Sequence, residues 1–355
     1  MKKELLTEEA IGWLCELIET PRISKEEKDA ADLLECVFKA TTDQTVHRHG
    51  NNLWCVSKYF APERPTLLLN AHIDTVKPVK AWSCNPHKTT RSEGRIYGLG
   101  SNDDGASVVC LWQAFRMLSG KEQPYNLVYL ASAEEEISGK NGIEAVWEKL
   151  PHIDVALVGE PTGMHPAIAE KGLMVLDVTA HGKAGHAARE EGDNAIYHAL
   201  DDMQWFRTYQ WPKTSDLLGA VKMSVTIVNA GTQHNVIPDI CQFTVDVRSN
   251  ECYKNEELFE LIRTNVKSEV KARSFRLNSS GISPKHPIVQ KAVELGRTPF
   301  GSPTLSDQAL MACPSLKMGP GESSRSHTAN EFIEEKEIEE AISLYVQLLD
   351  GLTIG

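Results

Sequence analysis

Acidic and imidazole side chains follow three short apolar segments of this sequence, at the point where each segment ends. The segments and the residues after them are Thr66–Asn70 with His72 and Asp74, Asn126–Leu130 with Glu134, Glu135 and Glu136, and Asp154–Gly159 with Glu160. In open α/β sheets, ligands bind in the crevice at the carboxyl ends of the strands. So many carboxylates in one crevice need protons or cations to offset their repulsion. The pattern therefore predicts a metal site.

A Gly-rich segment, Tyr97–Gly105, adds Asp103 and Asp104 directly before a predicted helix. The acidic pair argues against a phosphate-binding loop, because helix N-termini bind anions. The eight cysteines form no CxxC pair, so a thiolate zinc site is not expected. Histidine and carboxylate ligands suit zinc, cobalt or manganese, and this set is large enough for two ions with one bridging carboxylate.

Each of these segments also has an ordinary structural interpretation when it is taken alone. The glutamate triplet is typical of a solvated helix start, and Pro161 after Glu160 is typical of a turn at the end of a strand. The four segments occur together and in order, three of them directly after apolar runs, and this combination favours a shared site.

The elements around these residues predict an α/β fold with a largely parallel sheet. Consecutive apolar residues in all three segments are typical of strands that are buried on both faces. Between the first two segments, Ala106–Leu118 is predicted to be a buried helix. A further amphipathic helix is predicted over residues 7–20, capped by Thr7 and stopped by Pro21.

A second domain is predicted to be inserted into the first. After Gly172 the strands alternate apolar and polar residues, as half-exposed strands do. The predicted elements are strands at Leu173–Ala180, Val221–Asn229, Ile240–Arg248 and Ser274–Leu277, with helices at Asn194–Tyr209 and Asn255–Val270. This is the βαββαβ order of a ferredoxin-like unit. We therefore predict a metal-binding domain over residues 1–172 and 284–355, with an inserted domain over residues 173–283.

Composition excludes several classes of protein. The chain has 355 residues, 41% hydrophobic residues and a net charge of −12 without basic runs, so neither disorder nor nucleic-acid binding is expected. Glutamates interrupt the apolar part of the N-terminus, and no apolar stretch reaches the ~20 residues of a membrane span. The scattered cysteines are typical of reduced thiols and predict a cytoplasmic protein.

Ten motifs together resemble the two-zinc amidohydrolase family of acetylornithine deacetylase, succinyl-diaminopimelate desuccinylase, aminoacylase and carboxypeptidase G. They are AHIDTV (71–76), YGLGSND (97–103), SAEEE (132–136), VGEPT (158–162), GKAGHAA (182–188), GDNAI (192–196), NVIPD with VDVR (235–239 and 245–248), LSD (305–307), GPG (319–321) and SHTANEF (326–332). The likeness covers nearly the whole chain.

This resemblance implies a role for individual residues. It implies that the metal ligands are His72, Asp103 as the bridge, Glu136, Glu160 and His327. Asp74 would accept the second ring N–H of His72, and Glu135 would be the general base. Glu134 and Glu135 could also be the acidic pair; Glu135 and Glu136 are preferred because the family usually has an acidic residue ahead of its pair. Asp104 replaces a residue of the family pattern, so no role is carried over to it.

The resemblance also implies that the inserted domain is a lid and a dimerisation domain. His186 would stabilise the oxyanion in the site of a partner subunit. Asn235 and Arg248 would contact the carboxylate of the substrate.

The implied function is hydrolysis of an N-acyl amino acid with two divalent cations, zinc as the first choice and cobalt as the second. N-acetylornithine is the leading substrate, with N-succinylornithine or N-acetylcitrulline as variants. The alternatives are a succinyl-diaminopimelate desuccinylase, a broad aminoacylase or dipeptidase, an aminopeptidase of related fold, and a non-catalytic binding protein of the same fold.

Overall fold

The computed structural model describes residues 3–354, and these residues divide into two units. The first unit runs up to Ile168 and also contains Gly281–Phe300 and the chain from Ser306 onward. The second unit consists of Ala169–Ser280 and Gly301–Leu305. Each unit is described by itself below.

The helices of the described residues are α1 (Lys3–Glu19), α2 (Lys28–Thr41), α3 (Ala106–Leu118), α4 (Ile143–Val146), α5 (Ala195–Thr208), α6 (Asn255–Asn265), α7 (Pro287–Glu294) and α8 (Glu335–Leu349). The strands are β1 (Val46–His49), β2 (Asn52–Val56), β3 (Thr66–His72), β4 (Thr90–Ser92), β5 (Arg95–Tyr97), β6 (Asn126–Ser132), β7 (Val155–Val158), β8 (Ala167–Glu170), β9 (Met174–His181), β10 (Gly185–His186), β11 (Lys222–Ala230), β12 (Val236–Ile237), β13 (Ile240–Arg248), β14 (Glu269–Ala272), β15 (Ser280–Gly281), β16 (Phe300–Ser302), β17 (Ser315–Lys317) and β18 (Phe332–Glu334).

The main sheet of the first unit has parallel strands at its centre. Strands β6, β3, β7 and β17 lie side by side in this order, and each neighbouring pair is parallel. Strand β2 joins β6 in antiparallel orientation, and β1 continues the hairpin. Since parallel neighbours end at the same edge, the carboxyl ends of β3, β6 and β7 lie side by side.

Both faces of this sheet are covered, which explains the consecutive apolar residues in its strands. In β3, Leu67 and Leu69 pack into a core with α1, α2, α3, α7 and α8. The intervening Leu68 points to the opposite face and packs with Ile143 and Val146 of α4. Every residue of β3 and β6 is buried.

The second unit has an antiparallel sheet in the order β11-β13-β9-β14. In chain order its main elements are β9, α5, β11, β13, α6 and β14, the βαββαβ order with the strand arrangement of a ferredoxin-like unit. Alternate residues of β9 and β13 are buried under α5 and α6. The predicted fold class is confirmed.

Two element boundaries differ from the prediction. The helix predicted over 255–270 ends at Asn265, and the strand predicted at 274–277 is β14, at Glu269–Ala272. The carboxylate of Asp202 explains the early end, because it accepts the backbone N–H groups of Lys267 (3.0 Å) and Ser268 (2.9 Å) and turns the chain there. In the first unit, α1 includes Thr7 in its interior, so Thr7 is not the residue that caps this helix.

Among the described residues, no helix combines the length and the apolar character that crossing a membrane requires.

Candidate metal centre

The predicted edge of the sheet holds the acidic and imidazole side chains of the first unit. His72 is the last residue of β3, and the parallel register pairs it with Ser132 at the end of β6. Glu135 and Glu136 lie in a short turn three and four residues after Ser132, and Glu160 follows two residues after the end of β7. Strand order thus brings residues from three parts of the chain to one edge.

Five of the predicted site residues lie close together at this edge. Nε2 of His72 is 3.1 Å from Oδ1 of Asp103 and 3.9 Å from Oε2 of Glu135. Potential ligand atoms of His72, Glu135 and Glu160 all lie within 4.8 Å of one another, and the same holds for His72, Asp103 and Glu136.

His327 completes this group from the other end of the sequence. Its Nε2 is 2.9 Å from Oε2 of Glu136 and 3.6 Å from Oδ2 of Asp103. His327 has a φ of 58°, in the left-handed region that is unusual for a residue with a side chain. The hydrogen bond to Glu136 raises the pKa of His327 to about 9. One side of Asp103 therefore faces His72 and the other faces His327.

The glutamate triplet divides between two environments. Glu134 turns away from the histidines, and its carboxylate accepts the side-chain N–H of Asn141 (2.8 Å) and its backbone N–H (3.3 Å). Glu135 faces His72 and Glu136 faces His327, as the distances above show. Glu134 has a left-handed backbone conformation, with a φ of 54°. The chain turns there, so that Glu134 faces Asn141 while Glu135 and Glu136 face the histidines.

Asp74 contacts this group through both its backbone oxygen and its carboxylate. Nδ1 of His72 is 3.1 Å from the backbone oxygen of Asp74 and 3.5 Å from its Oδ1, so the nearer acceptor is the backbone, not the carboxylate. The carboxylate of Asp74 accepts the backbone N–H groups of Glu135 (2.9 Å) and Glu136 (3.2 Å) and the hydroxyl of Ser24 (2.7 Å). Asp74 therefore holds the turn that carries both glutamates.

The electrostatics of the first-unit site favour additional positive charge among its carboxylates. Burial raises the pKa of Glu135 well above its ordinary value, and the carboxylate of Glu160 raises it further. Burial likewise raises the pKa of Asp104, and it raises that of Glu331 to about 7. Burial opposes a charge on His72, yet the surrounding carboxylates, Glu135 foremost, raise its pKa. Divalent cations would supply the missing positive charge, and two imidazoles with four carboxylates are ligands that zinc, cobalt and manganese accept. The residues present thus fit a metal centre.

The remaining predicted residues lie in the second unit. His186 lies on β10, which pairs with β12, so that Ala187 donates its backbone N–H to the backbone oxygen of Asn235 (3.0 Å). His186 is exposed. Arg248 ends β13, and its guanidinium donates to both carboxylate oxygens of Asp246, at 2.8 and 3.0 Å. His186 and Asn235 are thus neighbours, whereas Arg248 is held by an acidic residue two positions before it.

Two buried charged residues of the first unit escaped the sequence analysis. Glu331 belongs to the SHTANEF motif, but no role was assigned to it, although an acidic residue so close to His327 was the available signal. Its carboxylate accepts backbone N–H groups of the loop that carries Asp103. Arg22 is also buried, and it donates to the backbone oxygen of Gly100 in the same loop (2.8 Å). Nothing in the residues around Arg22 signals this contact, because it joins positions 78 residues apart.

Comparison with known proteins identifies relatives over most of the chain. The sequence pattern of peptidase family M20/M25/M40 matches residues 68–351. The chain is 26% identical over 310 residues to the acetylornithine deacetylase of Proteus mirabilis, covering 81% of this chain and 80% of that protein. It is 25% identical over 260 residues to the succinyl-diaminopimelate desuccinylase of Xylella fastidiosa, covering 68% of each.

Solved structures share the fold at lower sequence identity. The aminopeptidase PepT of Bacillus cereus superposes with a TM-score of 0.77 at 19% identity, covering 97% of this chain and 98% of that one. A dinuclear metal-binding peptidase of Bacillus subtilis superposes with a TM-score of 0.74 at 16% identity, covering 98% of both chains.

Proposed function

The chain belongs to peptidase family M20/M25/M40, and within this family we propose that it removes the acyl group of an N-acyl amino acid, with N-acetylornithine as the leading substrate. The chain is a metal-dependent hydrolase of small-molecule amides. The narrower proposal is supported by its similarity to acetylornithine deacetylases, which extends over about four fifths of both sequences. The observation that carries metal-dependent hydrolysis is the convergence of His72, Asp103 and His327 with three glutamates at one edge of the sheet.

We propose that this group binds two divalent cations, with zinc as the first choice and cobalt as the second. The proposed ligands are His72 and Glu160 for one ion, Glu136 and His327 for the other, and Asp103 for both. Contacts of Asp103 with both histidines support its bridging role. When bound, the cations lower the pKa of the attacking water and polarise the acyl carbonyl.

Glu135 is the proposed general base. Its carboxylate faces His72 at 3.9 Å, whereas Asp103 and Glu136 make the shorter contacts with the two histidines. The carboxylate of Glu135 is therefore available to take a proton from the attacking water. The same carboxyl then returns that proton to the leaving amine, since it carries the proton that the second step needs. Asp74 contributes by holding the backbone of Glu135.

The second unit is proposed to act as a lid and dimerisation domain. His186 would stabilise the oxyanion in the site of a partner subunit, and Asn235 and Arg248 would contact the substrate carboxylate. Exposed apolar side chains on α5 and on the edge strand β11 support dimerisation through this unit: Tyr197, Leu200, Ile227 and Val228. A cytoplasmic location belongs to the same proposal and is supported by eight unpaired cysteines.

A second candidate function is desuccinylation of N-succinyl-diaminopimelate, which the similarity to the Xylella fastidiosa enzyme favours. Steady-state kinetics on a panel of substrates would separate the two. The panel contains N-acetylornithine, N-succinylornithine, N-acetylcitrulline, N-succinyl-diaminopimelate, simple N-acetyl amino acids and unblocked di- and tripeptides, each with zinc and with cobalt. We expect the highest kcat/KM on N-acetylornithine. A preference for N-succinyl-diaminopimelate would favour the second candidate, and cleavage of free-amine peptides alone would contradict both.

A further inference from the structure

Glu331 is a buried carboxylate whose hydrogen bonds all reach one loop of the first unit. The residue as a whole is only 2% exposed to solvent. Oε1 accepts the backbone N–H groups of Asn102 (2.8 Å) and Asp103 (2.9 Å), and Oε2 accepts that of Gly100 (2.9 Å). The backbone oxygen of Glu331 also accepts the N–H of Gly98 at 3.1 Å. Glu331 therefore satisfies four backbone donors of the segment that leads to Asp103.

A buried arginine side chain, Arg22, binds the same loop at Gly100. Arg22 donates one guanidinium N–H to the backbone oxygen of Gly100 (2.8 Å) and another to that of Leu17 (2.7 Å). Gly100 has a φ of 72°, and a Cβ atom there would collide with Arg22 and Thr75. Only glycine fits this position, where the peptide donates to Glu331 and accepts from Arg22.

The segment that contains Glu331 also carries His327. They are four positions apart, and between them Asn330 accepts the backbone N–H (3.0 Å) and the hydroxyl (2.9 Å) of Ser83. Just ahead of His327, Ser326 contacts the side-chain N–H of Asn102 at 3.3 Å. The segment thus contacts the Asp103 loop on both sides of His327.

We propose that Glu331 is a positioning residue that sets the distance between Asp103 and His327. Both of its oxygens are engaged by backbone donors, which distinguishes it from the proposed ligands. Since one of these donors is the amide of Asp103 itself, Glu331 fixes the backbone from which that carboxylate reaches both histidines. Residues that orient metal ligands in this way commonly contribute about 10- to 100-fold in metal affinity or activity. The inference rests on the proposed metal centre.

The variant Glu331→Gln tests this role because it keeps the size of the side chain and changes its hydrogen bonding. An amide has one oxygen and an NH2 donor, so at least one backbone N–H of the loop would meet a donor instead of an acceptor. We expect the affinity for cobalt and zinc, measured by equilibrium titration, to fall about 10- to 100-fold. We also expect a changed visible absorption spectrum of the cobalt-loaded protein. At saturating metal, kcat should fall while KM stays within about twofold, since the substrate contacts are untouched.

The matched control is Asp202→Asn in the second unit. Like Glu331, Asp202 is buried and its carboxylate binds backbone N–H groups of one loop. It accepts the backbone N–H of Lys267 and both the backbone N–H and the hydroxyl of Ser268. Asp202→Asn should lower the melting temperature and leave metal affinity, the cobalt spectrum and kcat unchanged. If Glu331→Gln behaves like this control, Glu331 is merely structural and the proposal is overturned.

Three further outcomes would each decide between explanations. If Glu331→Gln does not give folded protein by circular dichroism, the same measurements on Glu331→Asp decide, with a weaker effect in the same direction expected because the charge is kept and the reach is shortened. If the wild-type protein binds no divalent cation, the proposed metal centre fails, and the role of Glu331 fails with it. If the wild-type protein binds cations and the Glu331 variants bind them equally well, the role of Glu331 alone fails.

Discussion

The carboxylate of Asp103 lies between two histidines that are 255 positions apart in the sequence: Oδ1 is 3.1 Å from Nε2 of His72, and Oδ2 is 3.6 Å from Nε2 of His327. His72 ends a buried strand, whereas His327 lies in a loop and is half exposed. Both ring nitrogens thus lie within 4 Å of this one carboxylate. Its two oxygens therefore connect the two halves of the proposed centre.

Removing this carboxylate should remove both cations. In Asp103→Ala we expect metal analysis to find neither ion after dialysis, and kcat to fall below detection, because both positions lose a ligand. Glu136→Ala should lose only the ion on the His327 side. Glu134→Gln is the matched control, since Glu134 faces Asn141, and it should keep its full metal content. Full metal content in Asp103→Ala would contradict the bridging role.

Glu135→Ala should abolish turnover while the cations remain bound. A general base typically contributes about 10²- to 10⁴-fold, so we expect a loss of kcat in this range or beyond. Metal content, measured on the same sample, should match the wild-type protein. Glu134→Gln again serves for comparison: if that variant were inactive and Glu135→Ala retained near-normal activity, the base would be Glu134.

Chelation should destabilise the protein. Without cations, the carboxylates of Asp103, Glu135, Glu136 and Glu160 repel one another in a partly buried site. At a free cation concentration 100-fold above Kd, binding contributes about 2.7 kcal/mol to the free energy of unfolding. We expect thermal unfolding to shift to lower temperature in a chelator and to return when zinc is added. Asp103→Ala should not respond to the chelator, and an equal melting temperature of wild-type protein with and without chelator would contradict the prediction.

The aromatic core beneath the sheet offers a stability test independent of the metal. Phe38 of α2 is fully buried. The centroid of its ring lies 4.0 Å from the ring centroid of Trp112 and 5.4 Å from that of Tyr129. Phe38→Ala should cost about 3–5 kcal/mol of unfolding free energy, measured by urea denaturation. Phe60 is 40% exposed, so Phe60→Ala should change the unfolding free energy by no more than about 0.5 kcal/mol. Equal effects of the two substitutions would contradict the burial of α2 against the sheet.

A charge on the edge strand of the second unit should test dimerisation. Ile227 is 51% exposed on β11, the strand at one edge of that sheet. If two copies associate through this strand, Ile227→Lys buries an unpaired charge at the interface and should shift sedimentation from dimer to monomer. Thr226→Lys, a neighbouring exposed position that removes no apolar side chain, should have a smaller effect. A wild-type protein that is monomeric and fully active would remove the cross-subunit role of His186.

Much of the fold follows from local patterns. Consecutive apolar residues identified β3, β6 and β7, because these strands are buried on both faces, and alternation identified β9, β11 and β13. Strand β1 was not predicted, since it alternates half-buried and exposed positions without an apolar pattern. The helix α2 and strand β2 were also not predicted, although both bury apolar residues that a local pattern could have revealed. The end of α6 depends on Asp202, a residue more than 60 positions away, and no local pattern reports such a contact.

The site shows the same division. Their places after apolar segments predicted that His72, Glu135, Glu136 and Glu160 lie close together, as the structure has them. The sequence position of His327 carries no such signal, and it was expected near them only from the family resemblance. The directions of those side chains depend on backbone hydrogen bonds between distant segments, such as that from the amide of Asp103 to Glu331, 228 positions later. The nearer contact of His72 with the backbone oxygen of Asp74 also depends on local conformation, which residue identity does not determine.

Asp74 connects the His72 side of the proposed centre with the turn that carries Glu136. Its backbone oxygen lies beside the ring of His72, while its carboxylate holds the amides of Glu135 and Glu136. In the proposed centre, His72 held by one cation would also hold Glu136 through Asp74, which would lower the ordering cost at the second position. Loading should accordingly be cooperative, with a binding isotherm steeper than two independent sites would give.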